Sequence, residues 1–425
     1  MSCRIAVRGA RRARRTSVAG CAATVALGCL LALAALPGAA SAAPNLSVRS
    51  AALIEMSTGK RLYGFNADEP VPIASATKLM TALLTLEHVH HLGRVFTQPQ
   101  YYSAPIDSQI GLVPGEQMTV HDLLLALMLP SADDAAYDLA YNVGHGSVAR
   151  FIGMMNARAR QLGLTHTHYS TPIGLDTPGN YSSASDLVKL AAYDLAHSRY
   201  FARIVALPNA VLHSGNRPRY VVNRNDLVGQ IPWLNGVKTG HTSGAGYVLV
   251  GSGTRGGMTL LSAVLGTSSP AARDSNTLQL LGYGFSSFRL VTPVKAGDVL
   301  ARPTVKDRPG FRAEAIASKT VTDVVPRDAR VHVKIELPAQ IAGPLQYHAV
   351  LGTAVVFAGR HVIARVPLQL AHPLAAVSRI AVAARFITRP FTLVVIVVLL
   401  GGIIALAGFW RWRSRERSTA DPEPA

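Results

Sequence analysis

Residues 72–84 read PIASATKLMTALL, and the rest of the chain is understood from this stretch. Apolar residues recur at helical spacing from Lys78 to Val89, so a helix is expected there with Ser75-Ala76-Thr77-Lys78 at its start. Positions i and i+3 of a helix share a face, which brings the Ser75 hydroxyl within reach of the Lys78 amine. A helix N-terminus also turns free N–H groups and a favourable dipole toward a developing oxyanion. These are the parts that a serine nucleophile with a lysine base requires. Spacing alone is weak ground, because an N-cap serine beside a solvated lysine is the ordinary origin of such a pair. Ser57-Thr58-Gly59-Lys60 has the same spacing, but its glycine and turn context break the shared face.

Two further motifs follow in order. Ser131-Ala132-Asp133 comes where one helical pattern ends at Pro130 and another begins, offering a second hydroxyl at a helix start. Lys238-Thr239-Gly240 leads into the strand-like run from Gly246 to Val250, where a lysine, a threonine hydroxyl and bare glycine backbone can face a cleft. The set S-x-x-K, S-D-N and K-T-G marks the penicillin-recognising serine enzymes. The chain resembles their DacA-type branch, the low-molecular-mass penicillin-binding proteins that act as D-alanyl-D-alanine carboxypeptidases. The likeness extends through LMLPSADDAA, IGLDTPGNYSSASDL, LNGVKTGHTSGAGYVLV and PLQYHAVLGTAVVFAGRHVIARVPL, covering residues 46–370.

The resemblance implies a serine-type carboxypeptidase that needs no cofactor and no metal. Ser75 would attack the carbonyl between the two terminal D-alanines of a peptidoglycan stem peptide, and Lys78 would take its proton. Ser131 would relay a proton to the leaving amine. Lys238 and Thr239 would hold the terminal carboxylate. The backbone N–H groups of Ser75 and His241, the residue after Gly240, would form the oxyanion hole. β-Lactams would acylate Ser75 as imitators of the D-alanyl-D-alanine end.

One position departs from the pattern: Asp133 stands where the family has asparagine. An ionised Asp133 ~4 Å from Lys78 would favour the charged amine by about 4 kcal/mol at an effective dielectric of ~20, roughly 3 pKa units upward. It would also lack an amide donor and repel a carboxylate-ended substrate. Reduced turnover with the acylation machinery retained is therefore expected, unless Asp133 is protonated or turned away.

The 425 residues carry a net charge of +18, with 49% hydrophobic and 16% charged residues, which excludes a disordered chain. Six arginines (Arg4, Arg8, Arg11, Arg12, Arg14, Arg15) precede residue 16, and removing them from the net +18 leaves +12. The exported body has no run of five basic residues, which disfavours nucleic acid as a partner and suits an anionic envelope surface. Residues 1–42 read as an export signal: a basic start, an apolar run and Ala40-Ser41-Ala42. All three cysteines (Cys3, Cys21, Cys29) fall inside it, so the mature body is expected to lack disulfides and thiolate metal sites.

The expected fold is an α/β (α+β) β-lactamase/transpeptidase-like domain over 46–288, followed by a small all-β domain over 290–370 and a C-terminal transmembrane helix. A juxtamembrane segment (371–390) leads to that helix. Residues 391–410, FTLVVIVVLLGGIIALAGFW, are 20 residues without a charge, enough to cross ~30 Å of hydrocarbon. Arg411, Arg413, Arg415 and Arg417 in the tail (411–425) place the body in the cell envelope, outside the cytoplasmic membrane.

The remaining signals are minor. Gly251-Ser252-Gly253-Thr254-Arg255-Gly256 fits G-x-G-x-x-G but precedes a strand, so it reads as a hairpin turn. His88, His90 and His91 lack a carboxylate or cysteine partner at metal-ligand spacing. Asp176 either shapes the cleft edge or caps a turn. A D,D-endopeptidase acting on cross-links and a non-catalytic peptidoglycan-binding scaffold are the rival readings. A class A β-lactamase is disfavoured because residues 169–181 contain no E-x-x-L-N-like segment. The stem-peptide chemistry and the protein partners of the β domain are not legible.

Overall fold

The structure, a computed structural model, describes residues 43–378, 383–384 and 390–418. The expected export segment with its three cysteines, most of the stretch from 379 to 389, and the end of the tail lie outside the described residues. The chain divides into two compact units, one ending at Phe288 and the other starting at Arg289.

In the first unit, β1 (Ser50–Glu55) is buried along its whole length, as its apolar SAALIE sequence requires of a strand covered on both faces. It pairs antiparallel with β2 (Arg61–Phe65) across a turn that the Glu55 carboxylate closes by accepting from the N–H and hydroxyl groups of Ser57 and Thr58. Short pairs β3 (Val95–Thr97) with β4 (Gln117–Thr119), and β5 (Asn209–Leu212) with β6 (Arg219–Val222), lie outside the main sheet. The sheet is completed by β7 (Leu234–Thr242), β8 (Gly246–Arg255) and β9 (Met258–Thr267) in the order β2-β1-β9-β8-β7. Ala52 pairs with Ala263, so the sheet joins segments some 200 residues apart and the helices form an insertion between its halves.

Seven helices cover this sheet: α1 (Lys78–His88), α2 (Val120–Met128), α3 (Asp133–Val143), α4 (Val148–Gln161), α5 (Ala184–His197), α6 (Arg199–Val205) and α7 (Pro270–Ser287). Serine or threonine caps start most of them. Thr119, Ser147, Ser183, Ser198 and Ser269 each accept a first-turn N–H, and Pro270 opens α7 where its missing donor costs nothing. Alternate residues of the strands serve two cores. Ala52, Ile54, Leu261 and Ala263 pack with the buried faces of α1, α2 and α5. Leu53 and Leu260 lie against α7, where a Cβ on Gly284 would come within 2.8 Å of them both. α1 is buried from Lys78 to Thr85 and forms the axis of the helical layer.

The glycine-rich run differs from its sequence reading. Gly251 to Arg255 belong to β8, and the turn is made by Gly256 and Gly257, both at positive φ. Close packing explains the earlier glycine: a Cβ on Gly251 would meet Ser262 Oγ at 2.8 Å and Thr277 Cγ2 at 3.0 Å. The β3–β4 and β5–β6 pairs and α6 have no counterpart in the periodicity, because elements of three to seven residues span too few periods to register.

The second unit is built from short strands: β10 (Phe288–Val294), β11 (Val299–Ala301), β12 (Thr304–Val305), β13 (Ala315–Ala317), β14 (Val321–Pro326), β15 (Val331–Glu336), β16 (Gln340–Ile341), β17 (Val350–Ala358) and β18 (His361–Leu370). Its main sheet runs β11-β13-β18-β17-β15, and its small core centres on Val294, Ala354, Val356, Val366 and Leu368. α8 (Pro390–Ser418) follows; its 26-residue stretch Pro390–Arg415 contains an 18-residue window of mean hydropathy 2.8, none of it buried in protein. By length and composition it can cross a bilayer.

Two carboxyls inside the first unit give it a pH signature. Burial pushes Asp138 up to about 7, and drives the wholly buried Asp194 well above the carboxylate range. A carboxyl whose folded pKa is raised holds a proton that the unfolded chain releases near pH 4. Its contribution is therefore full below that pH and is lost as pH rises through the folded value. Asp138→Asn removes one such group. Urea denaturation is expected to show the variant gaining on the wild type by ~1.4 kcal/mol per pH unit between pH ~4 and ~7, and no further above. A pH-independent difference would show that the Asp138 pKa is not raised in the folded chain.

Candidate active site

A short turn sets up the site. Ala74 takes a left-handed φ of +47°, and residues Ala74–Thr77 form a 3-10 turn that runs directly into α1. Ser75 is thereby lifted at the mouth of the helix, with Lys78 one turn further on the same face. The α-helix proper starts at Lys78, so the serine occupies the 3-10 lead and not a capping position.

The Lys78 side chain has no exposure, and its Nζ has three neighbours: Ser75 Oγ at 2.9 Å, Asp133 Oδ1 at 2.5 Å and the Ile173 carbonyl at 2.7 Å. Two of these are acceptors and the third is a hydroxyl that can donate. A neutral amine satisfies the set by donating to Asp133 and Ile173 while its lone pair accepts from Ser75. Burial lowers the Lys78 pKa; Asp133 opposes this but does not overcome it, and Arg224 adds to the lowering. Burial likewise raises Asp133 against the pull of Lys78. Asp133 thus pulls the Lys78 pKa upward, as expected of it, but the net shift is downward. The carboxylate makes the contact and is not turned away, but taking both groups out of water disfavours the charged pair more than their attraction restores.

Ser131 is not a helix cap. α3 begins at Asp133 with Ala132 in the cap position, and Ser131 sits in the link from α2 at φ +68°, a strain of ~1–2 kcal/mol for a non-glycine residue. Its Oγ is buried with no hydrogen-bond partner among the described residues. The peptide N–H of Asp133 donates to the Ser108 carbonyl at 2.6 Å, fastening the 104–112 loop beside the site.

Lys238, Thr239, Gly240 and His241 lie in succession on β7, at the edge of the sheet. Lys238 is buried, its Nζ donates to the Thr239 carbonyl at 3.1 Å, and burial followed by the Lys78 charge pushes its pKa well down. Gly240 permits the strand to reach the serine: a Cβ there would stand 3.0 Å from Ser75 N, 3.0 Å from Ala74 Cβ and 3.2 Å from the Ile73 carbonyl. The exposed His241 ring stacks on Tyr247 at 4.0 Å.

Ser75, Ser131, Thr239, Gly240 and His241 line a single cavity of about 460 Å³, together with Ile106, Ser108, Arg224 and Arg273. The last four carried no signal in the sequence. Arg224 donates to the Pro130 carbonyl, one residue before Ser131, and Arg273 pairs with Asp274 and Asp226. They come from segments with no motif, and only the tertiary fold brings them to the cleft. Asp176 accepts from Thr242 Oγ1 at 2.6 Å and from the Gly244 N–H at 2.8 Å, tying the GLDTPG loop to the turn after β7. Asn180 Nδ2 donates to Thr77 Oγ1 and anchors the same loop to the serine turn.

Comparisons with known proteins follow this geometry. The sequence profile of the D-alanyl-D-alanine carboxypeptidase family, Peptidase S11, matches residues 38–269. The chain is 33% identical over 329 residues to D-alanyl-D-alanine carboxypeptidase DacC of Escherichia coli, covering 73% of this chain and 80% of that protein. It is 31% identical over 328 residues to D-alanyl-D-alanine carboxypeptidase DacF of Bacillus subtilis, covering 75% and 84%. Among solved structures, penicillin binding protein 5 from Haemophilus influenzae superposes with a TM-score of 0.65 at 28% identity, over 78% of this chain and 98% of that one. With half the chain matched by the profile and the β-lactamase/transpeptidase-like architecture shared, the protein belongs to the D-alanyl-D-alanine carboxypeptidase family and is a serine-type DD-carboxypeptidase.

Proposed function

We propose that Ser75 is the nucleophile and Lys78 its base, acting on the D-alanyl-D-alanine end of peptidoglycan stem peptides. The supporting observation is the 2.9 Å approach of a wholly buried lysine, its pKa lowered by burial, to a serine hydroxyl facing the cavity. The Ser75 proton passes to Nζ as Oγ bonds to the scissile carbonyl. The C–N bond then breaks, and the leaving D-alanine takes a proton by way of Ser131, whose otherwise unpartnered hydroxyl suits a relay. Water hydrolyses the ester. The N–H groups of Ser75 and His241 face the oxyanion. Thr239 receives the terminal carboxylate, whose charge favours the protonated form of Lys238.

Asp133 holds the amine on its far side. Its raised pKa moderates the penalty expected from an ionised carboxylate, so acylation is retained while the base stays partly occupied by its acidic neighbour. The same reading places the body in the cell envelope. α8 anchors it to the cytoplasmic membrane with Arg411 to Arg417 on the inner side, residues 46–288 form the catalytic domain and residues 290–370 the β domain.

A fluorescent penicillin is expected to label the wild-type chain and to leave Ser75→Ala unlabelled; a folded wild type that takes no label would remove the enzyme reading and favour the scaffold. Lys78→Ala is expected to lower acylation by at least 10²-fold, the usual worth of a positioned base, measured by stopped-flow quenching.

Asp133→Asn removes the group that favours the charged lysine. The Lys78 pKa then falls further, so the acidic limb of the kcat/KM profile is expected to move to lower pH, with a gain in turnover of a D-alanyl-D-alanine peptide near neutrality. An unmoved limb and no gain would mean that Asp133 does not control the base.

A further inference from the structure

The second unit carries a basic and aromatic tip at the point where the chain leaves it. Leu374 makes two backbone hydrogen bonds with Leu345, and Arg308 Nη2 donates to the Ala375 carbonyl at 2.7 Å, so the exit of the chain is fastened to this end of the domain. The Arg308 guanidinium lies over the Phe311 ring at 5.8 Å. Phe311 is 45% exposed and Tyr347, two residues beyond Leu345, is 57% exposed. The core beneath is already closed by Val305, Ala313, Ile341, Leu370 and Leu374, and it does not need these rings. Lys306 and Arg312 are exposed. Neither they nor Arg308 pair with an acidic group among the described residues, and Asp307 is the single acid between residues 303 and 313.

Fourteen residues separate Ala375 from Pro390, the first residue of α8, a reach of at most ~50 Å even when fully extended. The sequence between them adds Arg379, Arg385 and Arg389. A tether of that length holds the tip at high effective concentration near the surface that α8 enters. Tyrosine and phenylalanine rings beside cations match the headgroup layer, where aromatic bodies meet hydrocarbon and cations meet anionic lipid within a Debye length.

We propose that the tip formed by Lys306, Arg308, Phe311, Arg312 and Tyr347 rests on anionic lipid headgroups of the membrane in which the C-terminal helix is anchored. The inference depends on that anchored reading, and on nothing in the catalytic cavity.

The test uses the full chain, made free of its three native cysteines, reconstituted in vesicles of phosphatidylglycerol and phosphatidylcholine, with a fluorophore on a cysteine replacing Gln346. Brominated lipid is expected to quench it at least threefold more than a label on a cysteine replacing Arg360, at the opposite end of the ten-residue β18. The Arg308→Glu, Phe311→Ser double variant is expected to lose that excess, as are vesicles of phosphatidylcholine alone. Equal quenching at the two labels overturns the proposal, as does a response to a soluble polyanion with none to anionic lipid. Carbonate extraction reports the spanning helix separately, and penicillin labelling of the double variant, expected unchanged, reports its fold.

Discussion

The burial of one amine organises this protein. Lys78 is carried into the interior by α1, which is buried from Lys78 to Thr85, and its Nζ is met there by a hydroxyl, a carboxyl and a peptide carbonyl from three separate segments. Desolvation disfavours the charged amine, which is the condition a lysine needs if it is to serve as a base. The same penalty acts on Asp133, so both members of the pair are drawn toward neutrality. A solvated pair at the same distance would do the opposite, because water would support both charges.

Holding that amine in place requires agreement among distant parts of the chain. The serine turn comes from residues just after the first hairpin, the K-T-G strand from a segment more than 150 residues later, and the link bearing Ser131 and Asp133 from between them. The β1–β9 pairing joins the hairpin that precedes the serine turn and the K-T-G strand in one sheet. Gly240 then lets the edge strand approach the serine turn so closely that a methyl group there would require the backbone to move. The left-handed residues Ala74 and Ser131 lie on either side of the cavity. Backbone strain of this kind concentrates where surrounding packing over-determines it, and here it aims two hydroxyls into the same space.

The second unit contributes none of the residues that line the catalytic cavity. Its features are a small β core, a basic and aromatic tip beside Ala375, and an apolar helix of membrane-crossing length beyond it. The cavity residues and the apolar helix thus belong to different units, each with its own core.

Much of this was written in local sequence. S-x-x-K at a helix start, K-T-G before a strand, alternating runs after residue 288 and an uncharged 20-residue span each express a local periodicity or a near-neighbour spacing, and such signals survive in one dimension. The balance at Lys78 did not. Burial lowers the amine's pKa and an ionised neighbour raises it, and only the enclosure of the pair by the completed fold shows that desolvation prevails. Nor could the sequence reveal that Ser131 stands ahead of its helix with a bare hydroxyl, or that Arg224 and Arg273 join the cleft from segments without a motif. Spacing along a chain determines which side chains can share a face; which of them lose their water, and to whose company, is decided by long-range packing alone.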